Sequence, residues 1–173
     1  GLRSEFRLMT VAFRVDATES IGTGHLRRCL VLADEMLRLG VKSVFVITLQ
    51  SAPCVQLINS RGHRAILIDH RPSYSWELRN NPDWNSEALA WDESCDFSET
   101  VNALNRENPQ LVVLDHYFLT QRWIDGIRQS LKCRFLVFED LQRAWTNIDV
   151  LVNTIAANSA QTDTDNNVRV LRG

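Results

Sequence analysis

His25 stands where an imidazole can do chemistry. It lies in "SIGTGHLRRCLVLADEM", which begins at Ser20, directly behind Gly22, Thr23 and Gly24 and at the head of an amphipathic run. A helix start carries about half a unit of positive charge and free N–H donors. That field disfavours imidazolium, so a neutral ring is expected there. A neutral imidazole in a cleft can act as general base. Spacing alone leaves a second reading open, in which His25 caps the helix or bonds a nearby carbonyl. Arg27 and Arg28 follow in the first turn, where cations oppose the macrodipole at a cost of about 0.3–1 kcal/mol each. Their placement makes sense beside an anion or a carboxylate; the alternative is that both side chains reach into solvent.

Three further groups stand at the ends of apolar runs. Arg14 and Asp16 flank Val15 in "FRVD", and strand alternation puts both on one face. A charge in a short apolar strand is expensive unless paired, so Asp16 is a candidate partner for Arg14; the alternative is that one or both face a ligand. "LVVLDHYF" ends in Asp115, His116 and Tyr117. Adjacent strand residues point to opposite sides, so Asp115 and His116 do not form a dyad with each other, yet both can line the mouth of a cleft. "RFLVFED" ends in Glu139 and Asp140, carboxylates that either cap the next turn or orient a histidine.

Other chemistries find no support. "GTGHLR" has Arg27 where a dinucleotide fingerprint needs its third glycine, and there is no Walker lysine or G-x-S-x-G elbow. The four histidines are far apart, and no zinc spacing links Cys29, Cys54, Cys95 and Cys133. Neither a metal nor a cofactor is expected. Reduced thiols and a cytoplasmic location are the economical reading. Cys29 is expected in the core of its helix. The net charge of −2 makes no case for nucleic acid or a membrane surface as partner.

These groups need elements to hold them. Hydrophobic periodicity predicts strands from Val11, over "SVFVITL", "RAILID", "LVVLD" and "RFLVFED", and a short one in "IDVLVN". Between them it predicts helices from about His25 to Leu39 (stopped by Gly40), over "APCVQLINS" up to Gly62, most clearly over Phe97–Asn105, and after Thr120 as N-cap. The run from His70 to about Asn85 reads as a surface loop. Such alternation implies an α/β fold with a doubly wound, Rossmann-like parallel sheet. Ligands bind such sheets beyond the carboxyl ends of the strands. Residues 1–8 read as a cloning remnant, 9–157 as the catalytic domain, and 158–173 as a linker and the start of a missing C-terminal nucleotide-binding domain.

The runs "FRVDATESIGTGHLRRCLVLADEM", "LVVLDHYFLTQRWIDGIR" and "FEDLQRAWTNIDVLVN" resemble the nucleotide-sugar hydrolases of pseudaminic acid biosynthesis, which are close to spore-coat polysaccharide biosynthesis proteins. Their motifs occur in the same order from Val11 to about Ala157, with Glu139 in place of the usual first Asp of D-D-L. The resemblance implies the N-terminal half of a two-domain glycosyltransferase-B-like fold. It also implies metal-independent, inverting hydrolysis of UDP-2,4-diacetamido-2,4,6-trideoxy-β-L-altropyranose to UDP and free sugar. His25 maps onto the family's base. Arg14, Asp16 and the Gly22–Gly24 loop, with Thr23, map onto the cleft wall, and Asp115, His116 and Tyr117 onto D-H-Y; Arg28 joins them as a candidate substrate contact. The nucleotide would be held mainly by the C-terminal domain. Two alternatives stand beside this expectation: a glycosyltransferase of the same fold, and a non-catalytic sugar-nucleotide-binding module.

Overall fold

The computed structural model describes residues 9–18, 21–70, 87–141, 143–154 and 168–172, with backbone alone for 87–92 and 172. The loop expected over 71–84, the presumed remnant 1–8 and the polar tail 156–167 lie outside the described residues. Among the described residues, seven strands form one sheet: β1 (Thr10–Val15), β2 (Lys42–Thr48), β3 (Arg64–Ile68), β4 (Leu111–Asp115), β5 (Arg134–Glu139), β6 (Val150–Asn153) and β7 (Arg169–Arg172). All neighbours pair in parallel, in the order β3-β2-β1-β4-β5-β6-β7. The chain winds outward from β1 in one direction and from β4 in the other. The switch point therefore lies between β1 and β4, where a parallel sheet leaves a crevice at its carboxyl edge.

Helices α1 (Gly24–Arg38), α2 (Val55–Ser60), α3 (Glu87–Leu104) and α4 (Gln121–Ser130) cover the two faces. Gly40, at φ +79°, closes α1, with Val41 N–H donating to the Met36 carbonyl at 2.9 Å and Gly40 N–H to Leu37 at 2.9 Å. Thr120 caps α4 through its hydroxyl, which accepts from Arg122 N–H. One expectation needed adjustment. The second helix begins as a 3₁₀ segment over Leu49–Cys54 around Pro53, because proline cannot donate to an α-helical ladder. Residues 169–172 add β7 to this sheet, alongside β6.

The pleat sorts the strands onto two cores. Val11, Phe13, Val15, Phe45, Ile47 and Val113 pack with Leu26, Cys29, Leu30 and Ala33 of α1. Ala12, Val44, Val46, Val112, Leu114 and Val137 pack with Leu104, Trp123, Ile124 and Ile127 of α3 and α4. Each fully buried aliphatic or aromatic side chain contributes about 1.5–3 kcal/mol relative to exposure. The same period of two decides which polar residues can meet. Asp115 falls on the α1 side with Val113, whereas Arg14, Asp16 and His116 fall on the α3–α4 side with Ala12 and Leu114.

Candidate active site

His25 does not cap α1. It is the second residue of that helix, buried, and its Nδ1 lies 2.5 Å from Asp115 Oδ1 at the end of β4. Burial works against a charged Asp115, but hydrogen bonds from Arg28 and His25 outweigh it and hold the carboxyl below its usual range. An ionised carboxylate only accepts hydrogen bonds, so the proton belongs on Nδ1, toward Asp115 at 2.5 Å and not toward Arg28 Nη2, which stands farther off at 3.1 Å. In the neutral ring the lone pair is then on Nε2, which accepts no hydrogen bond among the described residues. Tyr117 stands edge-on to the imidazole, with ring centroids 4.3 Å apart, and restricts its tilt.

Arg28 is spent within the protein. Its Nη2 reaches Asp115 Oδ1 at 2.5 Å, its Nε bonds the other Asp115 oxygen, and its Nη1 donates to Asp140 Oδ1 at 3.0 Å. This guanidinium is a clamp on Asp115, with its side chain 25% exposed. Only Arg27 goes to solvent. Arg28 also lies over the Phe138 ring, 4.9 Å from its centroid, and Thr154 Oγ1 completes the partners of Asp140. The Cys29 thiol, pushed well up by burial and by Asp115, keeps its proton and donates to Asp115 Oδ2 at 3.6 Å.

The glycine loop borders open space. No atom lies within 4 Å of where a Cβ would stand on Gly22 or Gly24. Gly22 holds φ +79°, which disfavours any side chain there, while Gly24 is already helical. Thr23 is exposed and offers no side-chain cap; its carbonyl accepts from Arg27 N–H at 3.0 Å. The backbone of this loop is thus open to close approach.

Arg14, Asp16 and His116, candidate substrate contacts from the sequence, are each 1% exposed. The side chains of Arg14 and Asp16 are 0% and 1% exposed and bond at 2.8 Å. The pairing read from alternation is present, and it is only part of a larger network. Arg14 Nε donates to Asp96 Oδ1 at 3.0 Å, and Nη2 bonds the second Asp96 oxygen. Asp16 Oδ1 accepts from Thr48 N–H at 2.7 Å, Thr48 Oγ1 at 2.9 Å and Ser51 Oγ at 3.1 Å. His116 Nδ1 accepts from Phe118 N–H at 3.1 Å, so its Nε2 donates to Asp16 Oδ2 at 3.2 Å. Burial opposes the charge on Asp16, but Arg14 and then His116 lower its pKa far below the carboxylate range. These groups fix the ends of β1, β2 and β4 against α3.

Sequence reasoning missed Asp96 and Arg143. Glu139 caps its own turn through Leu141 N–H, accepts Arg143 Nε at 2.9 Å and Trp145 Nε1 at 2.5 Å, and touches no histidine. The signal for Arg143 was its position four residues after Glu139 in "EDLQR". Asp96 lies on α3, 82 residues from Arg14, and its only signal was a carboxylate among residues of a helix that had to bury a face.

The buried network sets a pH dependence. Burial lowers the pKa of His116, and the Asp16 hydrogen bond does not fully offset that. The unfolded chain therefore takes up a proton near pH 6.5 that the native state refuses, and stability falls with pH below that point by up to about 1.4 kcal/mol per unit. Asp16 and Asp115, lowered in the native state, add stability above an unfolded value near 3.9 and lose it only as pH falls through their native values. Urea denaturation from pH 8 to 2 is expected to show both phases, with His116→Gln flattening the upper one. An unchanged slope in that variant would refute the assignment.

No protein-family profile and no curated protein sequence matches the chain. Solved structures do match in fold. MurG of Acinetobacter baumannii superposes with a TM-score of 0.59 at 11% identity, over 89% of this chain and 43% of that one. A glycosyltransferase from Rickettsia africae gives 0.59 at 12% identity, over 96% and 43%. CalG4, the calicheamicin glycosyltransferase, gives 0.51 at 17% identity, over 76% and 32%. The chain thus spans less than half the length of each of these proteins. Its fold is that of the N-terminal, Rossmann-like half of GT-B glycosyltransferases. Among the described residues no helix is long and apolar enough to cross a membrane.

Proposed function

We propose that this domain carries the general base of an enzyme that breaks the anomeric C–O bond of a nucleotide sugar. The observation behind the reading is the His25–Asp115 pair, set at the switch point with Nδ1 engaged and Nε2 unpartnered among the described residues. An oxygen nucleophile attacks the anomeric carbon and passes its proton to Nε2. The bond to the diphosphate breaks with its electron pair, and configuration inverts. A nucleoside diphosphate is a good leaving group, so a strong general acid is less necessary. The open backbone at Gly22 and Gly24 is where the sugar would approach.

Water as nucleophile gives the hydrolysis of a UDP-linked diacetamido-trideoxy sugar that the motif order implies. A sugar or lipid hydroxyl as nucleophile gives transfer, and the glycosyltransferases that share the fold favour this second reading. The base is the same in both. The nucleotide is assigned to a further, C-terminal domain, so the 173-residue chain alone is expected to show almost no turnover.

The test is UDP or CMP release by the whole protein from a panel of UDP- and CMP-linked sugars, with and without acceptor alcohols. Full-rate release without acceptor supports hydrolysis, and release only on adding acceptor supports transfer. Binding of a sugar nucleotide with no release under either condition would leave a non-catalytic binding module and overturn the proposal.

A further inference from the structure

We infer that Arg143 is a positioning residue for the His25 ring, acting through the loop after β4. The inference rests on the reading of His25 as base. The guanidinium has five N–H donors, and four are committed. Nη1 donates to the carbonyls of Tyr117 at 3.0 Å and Leu119 at 2.9 Å, and Nη2 to that of His116 at 3.0 Å. Nε is anchored on Glu139 Oε2 at 2.9 Å. The same oxygen accepts from Trp145, and the guanidinium lies 4.8 Å from that indole's centroid. One planar cation thus gathers three carbonyls of a single turn and ties them to the end of β5.

That turn delivers the contacts that define the imidazole. Asp115, immediately before the gathered carbonyls, holds Nδ1, and Tyr117, one of the gathered residues, packs on the ring edge. No hydrogen bond joins Arg143 to His25 itself among the described residues. Its leverage is on where Asp115 and Tyr117 stand. A misplacement of about 1 Å at a catalytic group can cost about 10²-fold in rate. Lysine cannot replace it in kind, because an ammonium carries three donors in a compact tetrahedral head and lacks the planar fork that spans three carbonyls.

The experiment uses the whole protein with Arg143→Met and Arg143→Lys, beside His25→Ala. Turnover, KM and the thermal midpoint are measured, together with the His25 Nδ1–H resonance in ¹⁵N-histidine-labelled protein. Arg143→Met is expected to lower kcat about 10–100-fold with KM within twofold, and to shift or broaden the Nδ1–H signal. Arg143→Lys should restore the thermal midpoint more fully than it restores kcat. A folded Arg143→Met that keeps kcat within twofold would overturn the inference, as would a fall in kcat with the Nδ1–H signal unchanged. Should the Met variant not fold, Arg143→Lys is judged by the same two criteria. If His25→Ala itself keeps full turnover, the base assignment fails instead, a result separable from failure of Arg143 alone.

Discussion

Asp115→Asn is expected to lower kcat about 10²–10⁴-fold while leaving KM nearly unchanged. An amide in place of the carboxylate can present its NH₂ to Nδ1. That arrangement favours the tautomer with the proton on Nε2, which can no longer accept one from the nucleophile. The loss is thus a loss of the correct tautomer and orientation more than of binding. Arg28 also loses one of its two carboxylates, leaving Asp140 as its remaining ionic partner. The check is steady-state turnover of the whole protein, with the double variant His25→Ala/Asp115→Asn as control. Residues acting as one unit are strongly non-additive, so the double variant should be little slower than the slower single variant. Multiplicative losses would mean that the two act independently, against the geometry.

Asp96→Ala is expected to carry the largest stability cost in the fold, about 3–5 kcal/mol, because it strips a buried guanidinium of a partner. Arg14 would keep Asp16 as its ionic partner and the Val46 carbonyl as an acceptor, and both Thr100 Oγ1 and Trp123 Nε1 would lose the Asp96 oxygen they donate to at 3.3 Å and 2.9 Å. Against a usual total of about 5–15 kcal/mol, that is a large fraction. For a chain of this size it corresponds to a fall in thermal midpoint of about 6–20 °C. Asp96→Asn keeps the side-chain shape and one acceptor oxygen while Arg14 stays paired with Asp16, and should recover much of the loss. An Asp96→Asn protein as unstable as Asp96→Ala would show that the carboxylate charge, and not the lost hydrogen bonds and packing, dominates.

What could be read in the residues follows the range of the interactions. The strands were legible because buried parallel strands are nearly continuous apolar runs. The Thr120 cap and the Gly40 stop were legible because each is local chemistry within one turn. Arg14–Asp16 was legible because alternation fixes neighbours two apart. His25 was legible as a base candidate, but its partner was not: Asp115 is 90 residues away, and only strand order brings the ends of β1 and β4 together.

The helix carrying Asp96 was only half legible, for a related reason. Glu93, Asp96 and Thr100 on α3 are buried, so this helix turns polar residues inward and blurs the apolar period. Periodicity therefore recovered its end, around Phe97 to Asn105, and not its start at Glu87. The last strand was missed because "VRVLRG" follows a polar tail and pairs only with β6, at one edge of the sheet. The depth of Arg14, Asp16 and His116 was not legible, because alternation gives a side chain its face but not its burial. Arg14 belongs to the α3–α4 side of the sheet, and there α3 covers it.

The most direct test of the base assignment is turnover by His25→Ala in the whole protein, on whichever sugar nucleotide the parent cleaves. The account predicts a folded protein with near-normal KM and kcat lowered about 10²–10⁴-fold. A folded His25→Ala protein that cleaves at the parental rate would contradict it.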